Sequence, residues 1–193
     1  MPKIVLVSGS IRRESANTAV IATIRRLIEQ RDEQYEITEL SLRDFPFFDE
    51  DLESAGGTPE LLAAHAEVAS ADALIISSPA YNGYPSGVLK NALDWLSRPA
   101  GADRSPLEGL PAAVVSASPG QAGGENVQPH VRQILTNCGA KVIDSEQVAV
   151  GNALELRTPE GVITEPAVVS ALAGLVDAVT GHIGAAVPQE AAA

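Results

Sequence analysis

The sequence is short of cysteine, of basic residues and of long apolar runs, and each shortage excludes a class of protein. A single cysteine, Cys138, cannot form an internal disulfide, so a reducing compartment, the cytoplasm, is expected. No apolar run reaches the ~18 residues of a membrane-spanning helix, so no membrane partner is predicted. The 13 basic and 25 acidic residues give a net charge of −12, which argues against nucleic acid as a partner.

Histidine and cysteine are also too few and too scattered for a hydrolase or a metal site. The three histidines, His65, His130 and His182, adjoin no serine or cysteine nucleophile motif. The sequence contains no H-x-x-x-H, C-x-x-C or acidic metal-binding cluster, so no metal ligands are predicted. We therefore expect surface or packed histidines and a packed thiol at Cys138.

Short apolar runs alternate with longer amphipathic segments, which predicts an α/β fold. Strands are predicted at residues 4–8, 35–40, 73–77 and 112–116, and a fifth within 141–150. Helices are predicted at residues 18–30, 58–69, 86–96, 128–137 and 166–180, the last closed by Gly181.

The short connections between these elements imply right-handed crossovers and a parallel sheet covered by helices on both faces. For five strands, the order 2-1-3-4-5 of the flavodoxin-like three-layer sandwich fits better than the six-stranded dinucleotide-binding order. Residues 1–184 are predicted to form this single domain, and residues 185–193 a flexible tail. Ligands of such sheets bind beyond the carboxyl ends of the strands where the order reverses, here at the loops that begin near Gly9, Pro79 and Ala117.

The loop after the first strand, residues 8–18, is suited to a phosphate. Gly9 permits a tight turn, and the N–H groups at the start of the next helix favour an anion. The polar residues of this loop are Ser10, Arg12, Ser15, Asn17 and Thr18. The alternative is an ordinary turn in which serine and asparagine only cap the helix. The spacing is neither G-x-G-x-x-G nor a P-loop, which disfavours a dinucleotide fingerprint and an NTPase.

The loop after the third strand, residues 77–87, is suited to a planar ring. It carries two prolines and two glycines, which stiffen the backbone, and two of the chain's three tyrosines, Tyr81 and Tyr84. A phosphate at the first loop and a planar ring at this one together describe a mononucleotide. The alternative is a structural turn whose tyrosines face solvent.

Two motifs in these loops resemble the NADPH-dependent FMN reductase family. They are G-S-I-R-x-x-S-x-N from Gly9 and P-x-Y-N-G from Pro79, the latter followed by G-V-L-K-N-A-L-D-W from Gly87. The resemblance runs from about Lys3 to about Val150. It implies FMN as the cofactor, NADPH or NADH as the co-substrate, and a homodimer or homotetramer.

The resemblance also assigns cofactor-binding residues in three groups. The phosphate group is Ser10, Arg12, Ser15, Asn17 and Thr18; the ring group is Pro79, Ala80, Tyr81, Asn82 and Gly83; the third-loop group is Ser116, Ser118 and Gly120. The sequence departs from the family pattern at Ala80, where many members carry Glu, within residues 83–87, and at Asn126, where a Gly-Gly-x-Arg motif would place Arg. These departures bear on the choice of nicotinamide nucleotide and acceptor.

The chemistry implied is a ping-pong hydride transfer from NAD(P)H to bound FMN and then to an acceptor. No catalytic side chain is predicted, because the flavin carries the reaction. The acceptor is a quinone, an azo compound, a metal oxyanion or free flavin, and the sequence does not choose. The alternatives are a flavodoxin-type electron carrier and a regulatory module without flavin. Phe45, Phe47 and Phe48 are predicted either to pack on the sheet edge or to form a subunit contact.

Overall fold

The structure, a computed structural model, describes residues 1–186; residues 187–193, in the predicted tail, lie outside the described residues. Its centre is one parallel sheet. The strands are β1 (Lys3–Ser8), β2 (Glu36–Leu40), β3 (Ala73–Ser78), β4 (Pro111–Ala117), β5 (Lys141–Val142) and β6 (Ala149–Val150). The order β2-β1-β3-β4-β5 confirms the predicted topology.

The predicted fifth strand is divided into two short pieces, and both pair with β4. Lys141 and Val142 lie beside the start of β4, and Ala149 and Val150 lie beside its end. Between them, the polar residues 144–147 leave the sheet. The buried side chains of Ile143 and Val148 anchor the two ends of this excursion in the core.

Six α-helices connect the strands within residues 1–186. They are α1 (Ala16–Glu29), α2 (Glu50–Ser54), α3 (Pro59–Ala69), α4 (Gly87–Leu96), α5 (Gln128–Asn137) and α6 (Pro166–Ala186). Ser15, Thr58 and Ser86 cap α1, α3 and α4 through their hydroxyl oxygens. α6 continues through Gly181, where its end was predicted, because the next turn still buries Ile183 in the core.

Two apolar layers cover the two faces of the sheet. Alternate residues of β1 point in opposite directions, so Ile4 and Leu6 pack under α1 and α6, while Val5 and Val7 pack under α4 and α5. By length and composition alone, α6 is the one helix within residues 1–186 that is long and apolar enough to cross a membrane. Its buried residues, among them Leu172, Leu175 and Val179, lie in the layer shared with α1.

The loop after β2 folds over α4. The Trp95 indole N–H donates to the carbonyl oxygen of Pro46 at 2.9 Å, and the Phe48 ring packs edge-on against Trp95 with centroids 4.8 Å apart. Trp95 is therefore buried. Phe45 is partly buried against the same layer, whereas Phe47 is 89% exposed.

The residues excluded as catalytic groups are packed or lie at the surface. His65 is buried in α3, and this burial lowers its pKa. Cys138 is half-buried beside the α4–α5 layer, and desolvation raises the pKa of its thiol. His130 and His182 are exposed. Across residues 1–186, no group of three His, Cys, Asp or Glu side chains is arranged to hold a metal ion.

Candidate cofactor site

Three loops meet at the carboxyl edge of the sheet, at the ends of β1, β3 and β4. The Gly9 N–H donates to the Ser77 carbonyl oxygen at 2.8 Å, and the Ser86 hydroxyl donates to the Gly9 carbonyl oxygen. A Cβ on Gly9 would lie only 2.9 Å from Cδ of Pro79. The first and second of these loops are therefore packed backbone to backbone, and only glycine fits at their contact.

Asn17 joins all three loops from inside. Its side-chain Nδ2 donates to the Ala117 carbonyl oxygen at 3.1 Å, and its Oδ1 accepts from the Ser77 hydroxyl at 2.9 Å. Asn17 and Ser77 are both buried, and Asn17 lies in the first turn of α1. Buried polar groups must be paired, so this side chain fixes the relative positions of the ends of β1, β3 and β4.

A cleft of about 160 Å³ lies between the three loops. Its lining residues are Ser10, Arg12, Ser15, Ala16, Asn17, Pro79, Ala80, Tyr81, Ala117, Ser118, Pro119 and Leu154. One end is polar and is formed by the first loop. The other end is largely apolar and is formed by the second and third loops together with Leu154.

The polar end is the amino terminus of α1. Ser15 Oγ accepts from the N–H groups of Asn17 and Thr18 at 3.1 and 3.4 Å, and the first turn carries no acidic residue. The exposed Arg12 side chain donates to the Glu14 carbonyl oxygen at 2.6 Å, which orients the guanidinium without neutralising it. Helix amides, a hydroxyl and a guanidinium together suit a phosphate dianion.

The loop after β3 is a tight hairpin. Tyr81 and Tyr84 pair in an antiparallel bridge, with N–H to carbonyl distances of 2.9 and 3.1 Å. The turn residues Asn82 and Gly83 have positive φ angles of 53° and 86°, as a two-residue hairpin of this hand requires. Tyr81 lines the cleft and is 55% exposed, and Tyr84 stacks on His130 at 4.5 Å between ring centroids.

The loop after β4 is held against β6 by close backbone packing. Gly123 has a φ of 62°, and a Cβ there would lie 2.6 Å from the Ala149 carbonyl carbon. A Cβ on Gly151 would lie 2.0 Å from the Gln121 carbonyl oxygen. The Gly120 carbonyl oxygen accepts from the N–H groups of Gly123 and Asn152. This loop therefore presents its backbone to the cleft from a fixed position.

The structure brings eight of the predicted residues together around the cleft: Ser10, Arg12, Ser15, Asn17, Pro79, Ala80, Tyr81 and Ser118. It places five elsewhere. Thr18 bonds the Ser8 hydroxyl at 2.9 Å, Asn82 and Gly83 form the hairpin turn, and the Gly120 carbonyl accepts from the N–H groups of Gly123 and Asn152. Ser116 is wholly buried in β4, where its Oγ accepts from the Gln128 amide at 2.9 Å.

Leu154 is the lining residue that lies outside the three loops predicted from the sequence and outside α1. It follows β6 and is 38% exposed in the cleft. No motif identifies Leu154, because its position depends on the packing of Gly151 against Gln121. Neither of these residues belongs to the two motif loops. An apolar residue just after the last strand is the only signal that the sequence offers.

The family model for NADPH-dependent FMN reductases matches residues 2–155. The chain belongs to this family. It is an NAD(P)H-dependent FMN oxidoreductase, and FMN is its cofactor.

Relatives agree with this assignment. An NAD(P)H-dependent FMN reductase of Pseudomonas aeruginosa is 33% identical over 151 residues, 78% of each chain. A quinone reductase of Escherichia coli is 35% identical over 150 residues, 77% of each chain. Among solved structures, the flavoenzyme NAD(P)H:(acceptor) oxidoreductase FerB from Paracoccus denitrificans superposes with a TM-score of 0.85 at 28% identity, covering 96% of this chain and 98% of that one.

The residues of this FMN reductase fit the cofactor. The amides of α1, the Ser10 hydroxyl and the Arg12 guanidinium suit the phosphate at one end of the cleft. Pro79, Tyr81 and Leu154 offer an apolar surface at the other end, as a planar ring needs. In a chain with a net charge of −12, such local donors would have to hold the phosphate against the overall field.

Proposed function

We propose that this protein passes the electrons of NAD(P)H to a quinone at the apolar end of the cleft. The observation that carries the proposal is the cleft itself, where a phosphate-binding end lies next to an apolar end that is open to solvent at Tyr81. A quinone is flat and apolar, like the surface formed by Pro79, Tyr81 and Leu154. Relatives named quinone reductase support the same acceptor.

The chain's own residues bind and orient in this scheme. Ser10, Arg12 and the amides beyond Ser15 hold the phosphate, and Pro79, Ala80 and Tyr81 position the ring. When bound, FMN accepts a hydride from NAD(P)H and supplies two electrons to the acceptor. Ser118 and Pro119 close the same cleft from the third loop; the Ser118 N–H already donates to the Val150 carbonyl oxygen at 3.1 Å, so this side contributes shape to the cleft. We also propose a cytoplasmic location, where conditions are reducing.

The proposal is tested with the FMN-loaded protein under anaerobic conditions. NADPH or NADH is expected to bleach the flavin absorbance directly, and 1,4-benzoquinone to restore it, with one quinone consumed for each nucleotide oxidised. In steady state, we expect kcat/KM for benzoquinone to exceed that for methyl red, chromate or free FMN by at least about tenfold, because the apolar surface selects a flat neutral acceptor.

The other possible results of this experiment would each indicate a different function or acceptor. Flavin absorbance that neither nucleotide bleaches would indicate an electron carrier that needs a separate reductase. A protein that FMN does not colour would indicate a regulatory module. Bleaching followed by faster turnover of an azo compound, chromate or free flavin would replace the quinone with that acceptor.

A homodimer or homotetramer belongs to the same proposal, and Phe47 marks the contact. This side chain is 89% exposed, while its neighbours Phe45 and Phe48 are packed against the chain. A large apolar side chain this exposed favours a subunit interface. The acidic residues Asp49, Glu50 and Asp51 beside it form a polar rim.

The substitution Phe47→Ser tests the contact. We expect the native chain to sediment as an oligomer, at a multiple of the mass of one chain. The oligomer of the variant is expected to dissociate at protein concentrations about tenfold higher than the native oligomer does, because an apolar anchor of the interface is lost. Sedimentation velocity over a dilution series measures both. Unchanged assembly in the variant would place the interface elsewhere, and a native chain that sediments as a monomer would refute the oligomer.

A further inference from the structure

A second cavity adjoins the cofactor cleft on the side of β2. It has a volume of about 260 Å³ and lies beyond the carboxyl ends of β1 and β2. Its polar lining is formed by Ser10, Arg12, Arg13, Thr18, Ser41 and Arg43, with Glu39 as its one carboxylate. Ser10 and Arg12 also line the cofactor cleft, so the segment that contains them is the wall between the two spaces.

The charge of this cavity opposes that of the chain. Three arginines line it, in a protein whose net charge is −12. Glu39 is already paired with Arg25 at 3.1 Å, and the other nearby carboxylate, Glu14, follows Arg13 in the exposed loop. Three cations held together repel one another, and an anion placed among them relieves that repulsion.

The three arginines have no carboxylate partner within the described residues 1–186. Arg12 and Arg43 donate instead to the backbone carbonyl oxygens of Glu14 and Ile11. These acceptors orient the guanidinium groups but leave their charge in place. Arg13 forms no ion pair within this part of the chain, whereas Lys3, Arg25, Arg31, Lys90 and Arg98 all do.

The size and position of the cavity limit its occupant. A space of about 260 Å³ is too small for a dinucleotide but admits one end of a ligand that extends into solvent. Serine hydroxyls and arginine forks suit an anion with several acceptor oxygens, such as a phosphate monoester. The adjoining cleft is the place where a nicotinamide nucleotide must approach the cofactor.

We propose that this cavity is a second phosphate-monoester site, separate from the FMN phosphate site, and that it binds the 2′-phosphate of NADPH through Arg13 and Arg43. The proposal rests on NAD(P)H being the reductant, and it makes NADPH the preferred nucleotide. A free inorganic phosphate ion is the other source of the same chemistry, and the experiment distinguishes the two.

The test compares ligands that differ only by this phosphate. Isothermal titration of the FMN-loaded protein with adenosine 2′,5′-bisphosphate and with 5′-AMP is expected to show about tenfold tighter binding of the bisphosphate. The substitutions Arg13→Ala and Arg43→Ala are each expected to abolish most of that difference. In steady state they raise KM for NADPH about tenfold and leave kcat and KM for NADH unchanged.

Arg98→Ala is the matched control. The cap of α4, Ser86, lies at the cofactor edge of the sheet, and Arg98 comes just after the other end of this helix. The Arg98 side chain therefore lies at the edge of the sheet opposite the cofactor cleft. It pairs with Glu53 at 2.7 Å and is partly exposed like the arginines of the cavity. Arg43→Lys is a second control, since it keeps the charge and is expected to recover part of the NADPH preference.

Several outcomes would overturn the proposal. Equal binding of the bisphosphate and 5′-AMP by the native protein would remove the 2′-phosphate site. Inorganic phosphate that competes at the same concentration as the bisphosphate would assign the cavity to the free ion. Weaker binding of FMN, but not of riboflavin, in Arg13→Ala would assign it to the cofactor's own phosphate. Failure of both NADPH and NADH to bleach the flavin would instead reject the proposed function, and the titration would still decide the site.

Discussion

Replacing Arg12 with alanine is expected to weaken FMN binding about 30-fold and to leave riboflavin binding unchanged. Arg12 supplies the only guanidinium in the lining of the cofactor cleft, next to the amino terminus of α1. FMN and riboflavin differ by one phosphate, so an effect confined to FMN identifies the group that Arg12 contacts. The measurement is a fluorescence titration of the apoprotein with each flavin.

Arg13→Ala is the neighbouring control. Arg13 lines the second cavity and not the cofactor cleft, so its loss is expected to leave both flavin affinities unchanged. A similar weakening of riboflavin in Arg12→Ala would mean that the substitution distorts the loop. Unchanged FMN binding would mean that the helix amides and Ser10 hold the phosphate without it.

The second large effect is expected at Asn17. Asn17→Ala should lower the free energy of unfolding of the apoprotein by about 3 kcal/mol, because the Ala117 carbonyl oxygen and the Ser77 hydroxyl both lose their buried partner. FMN binding should fall with it, since the end of β4 loses its side-chain hydrogen bond to α1. Urea denaturation and flavin titration measure the two effects.

The substitution Ser77→Ala separates the effects of the two side-chain hydrogen bonds of Asn17. It removes one hydrogen bond and keeps the link to Ala117, so a loss of about 1 kcal/mol is expected. An Asn17→Ala protein with native stability but without FMN affinity would contradict the positioning role. That result would support direct contact between the Asn17 side chain and the cofactor, as the family resemblance suggests.

The sheet was predictable because its strands are continuous apolar runs. Ile4 to Val7 and Leu74 to Ile76 are buried on both faces, and such runs have few other structures available. The short helix α2 was not predicted, since it has five residues and buries none of them. The burial of Trp95 was not predicted either, because it depends on Pro46 and Phe48 from a loop more than 40 residues away.

The loops that form the site could be predicted from the sequence, but the side chains that face the cleft could be predicted only in part. The order of the strands places the loops near Gly9, Pro79 and Ala117 at one edge, whatever their sequences. Which side chain faces the cleft depends on local geometry that no motif contains. Ser116 points to Gln128 from inside β4, and Thr18 points to Ser8. Arg43 joins the second cavity only because β2 lies beside β1.

The divided fifth strand also has a consequence for engineering. Residues 144–147 leave the sheet between β5 and β6 and carry mainly exposed side chains. Pairing with β4 stops at Ala112 and resumes at Ser116. The entropic cost of lengthening such a surface loop grows only slowly with its length. A tether, a reporter or a fused domain can therefore be grafted there, where Ile143 and Val148 isolate the graft from the hydrophobic interior.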